Sequence, residues 1–107
     1  MTTLTSKQRA HLKSLAHTLK PLLHLGKDGV SDNAAHTVEE AFNTRELLKL
    51  KVLDSAPESA KETARELAER VENLHVVQVI GRTVVLYRPH SEKPQIKLPK
   101  AVERAAE

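Results

Sequence analysis

The chain contains no cysteine. That excludes a disulfide framework and any metal held by thiolates, and it suits a reducing compartment, so the cytoplasm is the expected location. Aromatic residues are almost as scarce: one phenylalanine, Phe42, one tyrosine, Tyr87, and no tryptophan. The common RNA-binding sheets and barrels stack bases on aromatic rings, and one ring on a strand plus one on a helix cannot supply such a platform. No apolar run comes near the ~20 residues that a membrane-spanning helix needs. The polar start MTTLTSKQRAHLKSL lacks the apolar core of a secretory leader. No membrane partner is therefore expected. A length of 107 residues offers material for one domain and no second lobe. With 39% hydrophobic and 29% charged residues the composition is that of a folded domain, in which aliphatic side chains must build the core.

The formal net charge is only +3, so its distribution matters more than its sum. Residues 1–30 carry Lys7, Arg9, Lys13, Lys20 and Lys27 against Asp28, a net of +4. Residues 31–76 carry six basic and ten acidic groups, a net of −4. Residues 77–100 carry Arg82, Arg88, Lys93, Lys97 and Lys100 against Glu92, again +4, and the last seven residues contribute −1. Such segregation predicts a compact fold with one positive face, as suits a partner that is a polyanion.

The periodicity along the chain is legible. Thr5 and Gln8 have the spacing of a capping box, and Leu12, Leu15, Ala16 and Leu19 recur at helical intervals. The other side of this first helix presents Arg9, Lys13, His17 and Lys20 as a basic stripe, and Pro21 closes it, because the residue before a proline avoids the helical region. PLLHL then reads as a short strand ended by Gly26. Ser31 or Asp32 can cap a second helix with Ala34, Val38, Ala41 and Phe42 on its apolar stripe. In RELLKLKVL, Leu48, Leu50 and Val52 alternate with Lys49 and Lys51, the mark of a strand with one buried face. A third helix has Ser55 placed to cap it, Pro57 in its first turn, and Ala60, Ala64, Leu67, Ala68, Val71 and Leu74 as its stripe. Its polar side, with Glu58, Glu62, Glu66, Glu69 and Glu72, reads as a solvated acidic face. HVVQVI and TVVLYRP flank Gly81 and Arg82, which predicts a two-residue hairpin with positive φ at Gly81. That register sets Val79 against Val84 and Val77 against Leu86 on the buried side, with Gln78, Thr83 and Tyr87 on the other. The tail reads as extended, with a final helical turn from Ala101. The element order αβαβαββ predicts an α/β (α+β) two-layer sandwich around a small mixed four-stranded sheet.

Two of the three glycines stand four positions apart in Gly26-Lys27-Asp28-Gly29, between the first strand and the second helix. Amide groups and the positive end of a helix could there meet a phosphate. The Walker and dinucleotide patterns both need further residues that this loop lacks. A turn that uses glycine for geometry alone has the same spacing as the loop with which KH domains clamp a nucleic-acid backbone. Spacing alone leaves both readings open. The six histidines, His11, His17, His24, His36, His75 and His90, include no pair with the i, i+4 spacing of a zinc helix and its glutamate, and no nucleophile setting is recognisable. No catalytic residue, metal ligand, cofactor or small-molecule substrate is assigned, and the chain is read as a non-enzyme.

The blocks SKQRAHLKSLAHTLKPLLHLGKDGVSDN, ELLKLKV, VVQVIGRTVVLYRP and IKLP, in this order and spacing from about Ser6 to Pro99, resemble the bacterial YhbY proteins, stand-alone members of the CRM domain family. The resemblance implies a fold like the C-terminal domain of translation initiation factor three, and a KH-like GxxG loop formed by Gly26, Lys27, Asp28 and Gly29. It also implies association with precursors of the large ribosomal subunit; plant relatives use the same domain on group II introns. A single domain over 1–99 is expected, followed by an extension, 100–107, beyond the family's usual end. With so few aromatics, recognition should rest on RNA shape and phosphate, through the loop together with Arg9, Lys13, Lys20, Arg82 and Arg88. The expected partners are ribosomal RNA and pre-large-subunit particles, met by a monomer. The alternatives are a module that docks on ribosomal proteins through the acidic third helix, or a binder of the translation-factor type.

Overall fold

The computed structural model describes residues 4–90 and 94–96. Three helices and four strands follow one another as α1 (Ser6–Ala16), β1 (Pro21–Leu25), α2 (Asp32–Ala41), β2 (Leu47–Val52), α3 (Ala60–Arg70), β3 (His75–Ile80) and β4 (Thr83–Tyr87). This is the expected order, and the sheet is mixed. Its strands lie in the order β1-β2-β4-β3, with β1 parallel to β2 and the other pairs antiparallel. The final helical turn expected from Ala101, and the extension 100–107, lie outside the described residues.

Alternation along the strands decides how the helices are shared. Leu48, Leu50 and Val52 of β2 and Val84 and Leu86 of β4 point to one face, where they pack with Val38 of α2, with Phe42 at the C-terminal cap of that helix, and with Ala60, Ala64 and Leu67 of α3. Leu47, Val85 and Tyr87 point to the other face and pack with Leu12 and Ala16 of α1. The sandwich thus carries helices on both faces of its sheet. β2, expected to bury one face, has apolar residues on both. Tyr87 lies on the side opposite Val84 and Leu86, as its register predicts, but it is covered by α1. Leucines as fully buried as Leu12, Leu50, Leu67 and Leu86 each contribute roughly 1.5–3 kcal/mol through transfer from water, so a core almost without aromatics is adequate.

The capping box of α1 is formed: the Thr5 hydroxyl accepts from the Gln8 N–H and the Gln8 side chain accepts from the Thr5 N–H, each at 3.1 Å. The helix is shorter than its apolar spacing suggests, and Leu15 and Leu19 stay 40% and 37% exposed. Pro21 already belongs to β1, so the chain must turn extended before Leu19 can complete the stripe. Ser31 caps α2, its hydroxyl accepting from the Ala34 N–H at 3.1 Å. The cap of α3 is Ser59, whose hydroxyl accepts from the Glu62 N–H at 3.2 Å; Ser55 and Pro57, expected as cap and first turn, lie in the preceding loop. There they serve as a buttress, described below, and the Ser59-x-x-Glu62 spacing supplies a better cap about one turn's length closer to the apolar stripe.

The hairpin turns where expected, with Gly81 at φ +57° and Val79 opposite Val84. Farther from the turn the register departs from a plain ladder: Val76, and not Val77, faces Leu86, because β3 has an irregularity between Val76 and Gln78. Val77 is thereby turned into the core beneath α1. Arg9 of α1 stabilises the irregularity, donating from one guanidinium nitrogen to the carbonyls of Val76 at 2.6 Å and Val77 at 2.9 Å. A bulge leaves backbone groups without ladder partners, and a charged donor supplied from the covering helix satisfies two of them.

Beside this bulge, the His75 ring lies 5.9 Å from that of Tyr87. Burial, and then the Arg9 charge, hold its pKa below the ordinary 6.5. A histidine whose pKa is depressed by folding is neutral in the native state and binds its proton more readily when unfolded, so stability is full above pH 6.5 and falls as the pH drops toward the lower native value. Urea unfolding at pH 7.5 and pH 5 should show this loss, and His75→Gln should reduce it.

Candidate nucleic-acid interface

Gly26 follows directly on β1, whose last residue, Leu25, accepts at its carbonyl from the Leu53 N–H at 2.8 Å. The loop closes as a tight turn, the Gly29 N–H donating to the Gly26 carbonyl at 2.9 Å. Gly29 has φ +58°, and a Cβ there would also sit 3.0 Å from a ring carbon of Pro57. Both conditions call for glycine. A Cβ on Gly26 would lie 3.2 Å from the Ser55 hydroxyl. Ser55 and Pro57 therefore back the loop from behind, and Lys27 and Asp28 stand exposed at its tip. Two residues on, Ser31 starts α2, so the positive end of that helix lies beside the turn. The first turn of α2 also carries Asp32, held by Arg70 of α3 at 2.9 Å.

The same end of the sheet holds the hairpin tip. The Val52 N–H, at the end of β2, donates to the Arg82 carbonyl at 2.7 Å, which sets Gly81 and Arg82 beside the loop that joins β2 to α3. Arg82 forms an ion pair with Asp54 of that loop, although both side chains are largely exposed. Of the nine residues expected to bind, five thus gather at one end: Gly26, Lys27, Asp28, Gly29 and Arg82. The others are spread. Lys20 precedes β1 and Arg88 follows β4, toward the opposite end of the sheet, where the Arg88 N–H donates to the Glu46 carbonyl at 2.9 Å. Lys13 is exposed on α1. Arg9 is half-buried and its guanidinium is engaged by β3.

The alternation of β2 marks two further lysines only as the polar side of a strand. Lys49 faces Val85 and Lys51 faces Thr83 across the ladder, which places both on the α1 side of the sheet; Lys51 is exposed and Lys49 half-buried. The alternation in LLKLKV was the signal that could have placed them. What it lacked was the fact that α1 leaves this end of the sheet open, beside Lys51 and its neighbour His24 on β1. The acids collect on the opposite side. On α3 and just before it, Glu58, Glu62, Glu66 and Glu69 line one surface, and a hydrogen bond with Glu66, with lesser contributions from burial and from the Glu66 and Glu62 charges, raises the Glu58 pKa above 4.5. A polyanion would be repelled there and attracted to the α1 side.

Among the described residues no group of three or more His, Asp or Glu side chains is arranged to hold a metal ion, and no helix is long and apolar enough to cross a membrane.

Known proteins resemble this chain over nearly its whole length. The YqeI protein of Bacillus subtilis, named a probable RNA-binding protein, is 42% identical over 96 residues, covering 90% of this chain and 99% of its own. A protein of Haemophilus influenzae named RNA-binding protein is 41% identical over 100 residues, covering 94% and 99%. The solution structure of the hypothetical protein SAV1595 from Staphylococcus aureus superposes with a TM-score of 0.71 at 37% identity, covering 91% of this chain and all of that one. The profile of the CRS1 / YhbY (CRM) domain matches residues 4–88, which include every described helix and strand, and the chain belongs to that family.

Proposed function

We propose that the protein binds ribosomal RNA in precursors of the large ribosomal subunit and assists their assembly, acting as a cytoplasmic monomer without catalysis of its own. The observation that carries this reading is the Gly26–Gly29 turn: a loop whose glycine geometry is enforced from behind by Pro57 and whose tip offers Lys27 to solvent. Family membership and the names of the relatives support RNA as the ligand. Around the tip, Arg82, Lys51 and the end of α2 add positive potential, and Lys13 and Lys20 extend it along the α1 side. Arg9 would act by shaping β3 more than by direct contact. Arg88 would serve a separate contact at the far end of the sheet.

Binding of this kind rests on phosphate contacts. Four to six of them should give a slope of log affinity against log salt of about −3 to −5, at roughly −0.7 to −0.9 per phosphate. A flat response would favour docking on ribosomal proteins, for which the acidic surface of α3 is the available face. The cellular role is tested by gradient fractionation. The protein should sediment with immature large-subunit particles and be scarce on mature subunits and polysomes, because later folding and ribosomal proteins bury a surface read by shape. Residence on small subunits or polysomes would instead indicate a binder of the translation-factor type.

A further inference from the structure

A cleft of about 390 Å³ opens between the hairpin tip and the start of α3, and it shares no residue with the Gly26–Gly29 turn. Leu53, Ala56 and Pro57 line it from the loop that joins β2 to α3, and Gly81 and Arg82 line it from the hairpin. At its rim the Arg82 guanidinium holds the Asp54 carboxylate. Neither backbone is free to drift. The bond from the Val52 N–H to the Arg82 carbonyl pins the hairpin tip to the end of β2, and the Ala56 N–H donates to the Leu53 carbonyl at 3.0 Å, closing a turn that carries Asp54. The pair is nevertheless open to water, with side-chain exposures of 57% for Arg82 and 91% for Asp54. An exposed pair of this kind is weak enough for another anion to replace, and a guanidinium takes a phosphate with the same forked geometry as a carboxylate. Pro57 is the wall between the cleft and the turn, since its ring is what a Cβ on Gly29 would meet at 3.0 Å. Arg82 is thus within reach of a backbone that rests on the turn.

We infer that Asp54 is an intramolecular competitor of RNA: its carboxylate occupies the place of a phosphate on Arg82, is displaced when RNA binds, and returns to Arg82 as the RNA leaves. A carboxylate tethered in this way competes at an effective concentration set by the fold and independent of dilution. Its effect is a brake on affinity and an aid to release, in keeping with a protein that must leave its site once the subunit is built. The other carboxylate–arginine pair at this end, Asp32 with Arg70, lacks this property, because Glu66 also holds Arg70, at 3.3 Å. The inference rests on the phosphate reading given above and assigns regulation of that site to a residue that need not touch RNA.

The test is a double-mutant cycle on the full chain, with protein-free large-subunit RNA as the probe, read by filter binding near physiological salt, where the Debye length is about 8 Å and the direct field of one surface charge is largely screened. Asp54→Asn should bind about threefold to fivefold more tightly, the upper part of the range for exposed pairs, and a competitor chase should show the gain as slower dissociation. Arg82→Gln should bind more weakly than the wild type. In the Arg82→Gln background the same Asp54→Asn change should alter affinity by less than about 1.5-fold, because its partner is gone. Both side chains are exposed, so circular dichroism should show all four proteins folded. In nuclear magnetic resonance spectra of the wild type, the Arg82 side-chain N–H signal should move on addition of the RNA. No gain in Asp54→Asn, a gain of equal size in both backgrounds, or an Arg82 signal that stays in place would overturn the competitor role and leave the Gly26–Gly29 reading standing. Failure of the wild type to bind the RNA would remove both.

Discussion

Replacing Lys27 by aspartate should weaken binding to large-subunit RNA by on the order of tenfold or more and leave the unfolding midpoint almost unchanged. Two opposite charges about 4 Å apart attract by about 1 kcal/mol in bulk water and about 4 kcal/mol near a protein surface, and reversal of one turns that attraction into repulsion. The fold should not respond, because Lys27 is exposed at the middle of a turn whose shape is set by other atoms: the Gly29 N–H to Gly26 carbonyl bond, the positive φ of Gly29, and the backing by Pro57. The variant retains both glycines and all of these contacts, so circular dichroism and urea unfolding report the fold independently of the binding assay. Unchanged affinity in a folded Lys27→Asp protein would remove the turn from the interface and shift attention to Lys51, Arg82 and the α1 side of the sheet.

The largest loss of stability from a single polar residue is expected at Glu46. It is 3% exposed, yet it is the residue immediately before β2, outside the strand itself. One carboxylate oxygen accepts from the backbone N–H groups of Gln95 and Ile96, each at 2.7 Å, and the other from that of His90 at 2.7 Å. The glutamate thus ties the segment that follows β4 back to the start of β2, and brings Ile96 against the core beneath α1. The His90 ring, bonded at 3.0 Å to the Phe42 carbonyl, adds a second tether. Hydrogen bonds to a charged group contribute about 1.5–3 kcal/mol each, and an orphaned buried donor costs about 1–3 kcal/mol. Glu46→Ala removes three such bonds at once, but the freed segment can turn its N–H groups to water. A net loss of about 3 kcal/mol is therefore expected, less than the sum of the three. The midpoint of urea unfolding should fall accordingly, and a lower slope would mark detachment of the segment. A change below about 0.5 kcal/mol, the range of an ordinary surface substitution, would show that the carboxylate does not hold the segment in solution.

The placement of Glu46 also shows where sequence reasoning ends. Nothing in FNTRELLKL distinguishes this glutamate from a solvated one, because its three partners are 44, 49 and 50 residues away and no local pattern carries that separation. Arg9 is a similar case. Helical spacing puts it in register with Lys13 and Lys20, but its engagement by Val76 and Val77 depends on how α1 crosses β3, 67 and 68 residues on.

The properties that did follow from the amino-acid sequence are those governed by neighbours within a few positions. The Thr5–Gln8 capping box, the alternation in LLKLKV, the Gly81–Arg82 hairpin and the strand-turn-helix setting of Gly26–Gly29 each depend on local dihedral preferences and on side-chain periods of two or 3.6 residues. Together with the ordered blocks shared with the YhbY-type proteins, they determined the element order and the mixed character of the sheet. Tertiary structure decided the rest. It divided the helices between two faces, because β2 and β4 place apolar residues on both sides. It moved the start of α3 to Ala60, since Pro57 is needed beneath Gly29 and cannot also lie in the helix. It brought Lys27, Lys51 and Arg82 to one end of the sheet through the ladders that join β1 to β2 and β2 to β4. Those pairings set residues side by side that are 24 to 55 positions apart in the chain, and burial of their apolar neighbours, a cooperative property of the whole core, is what holds them there.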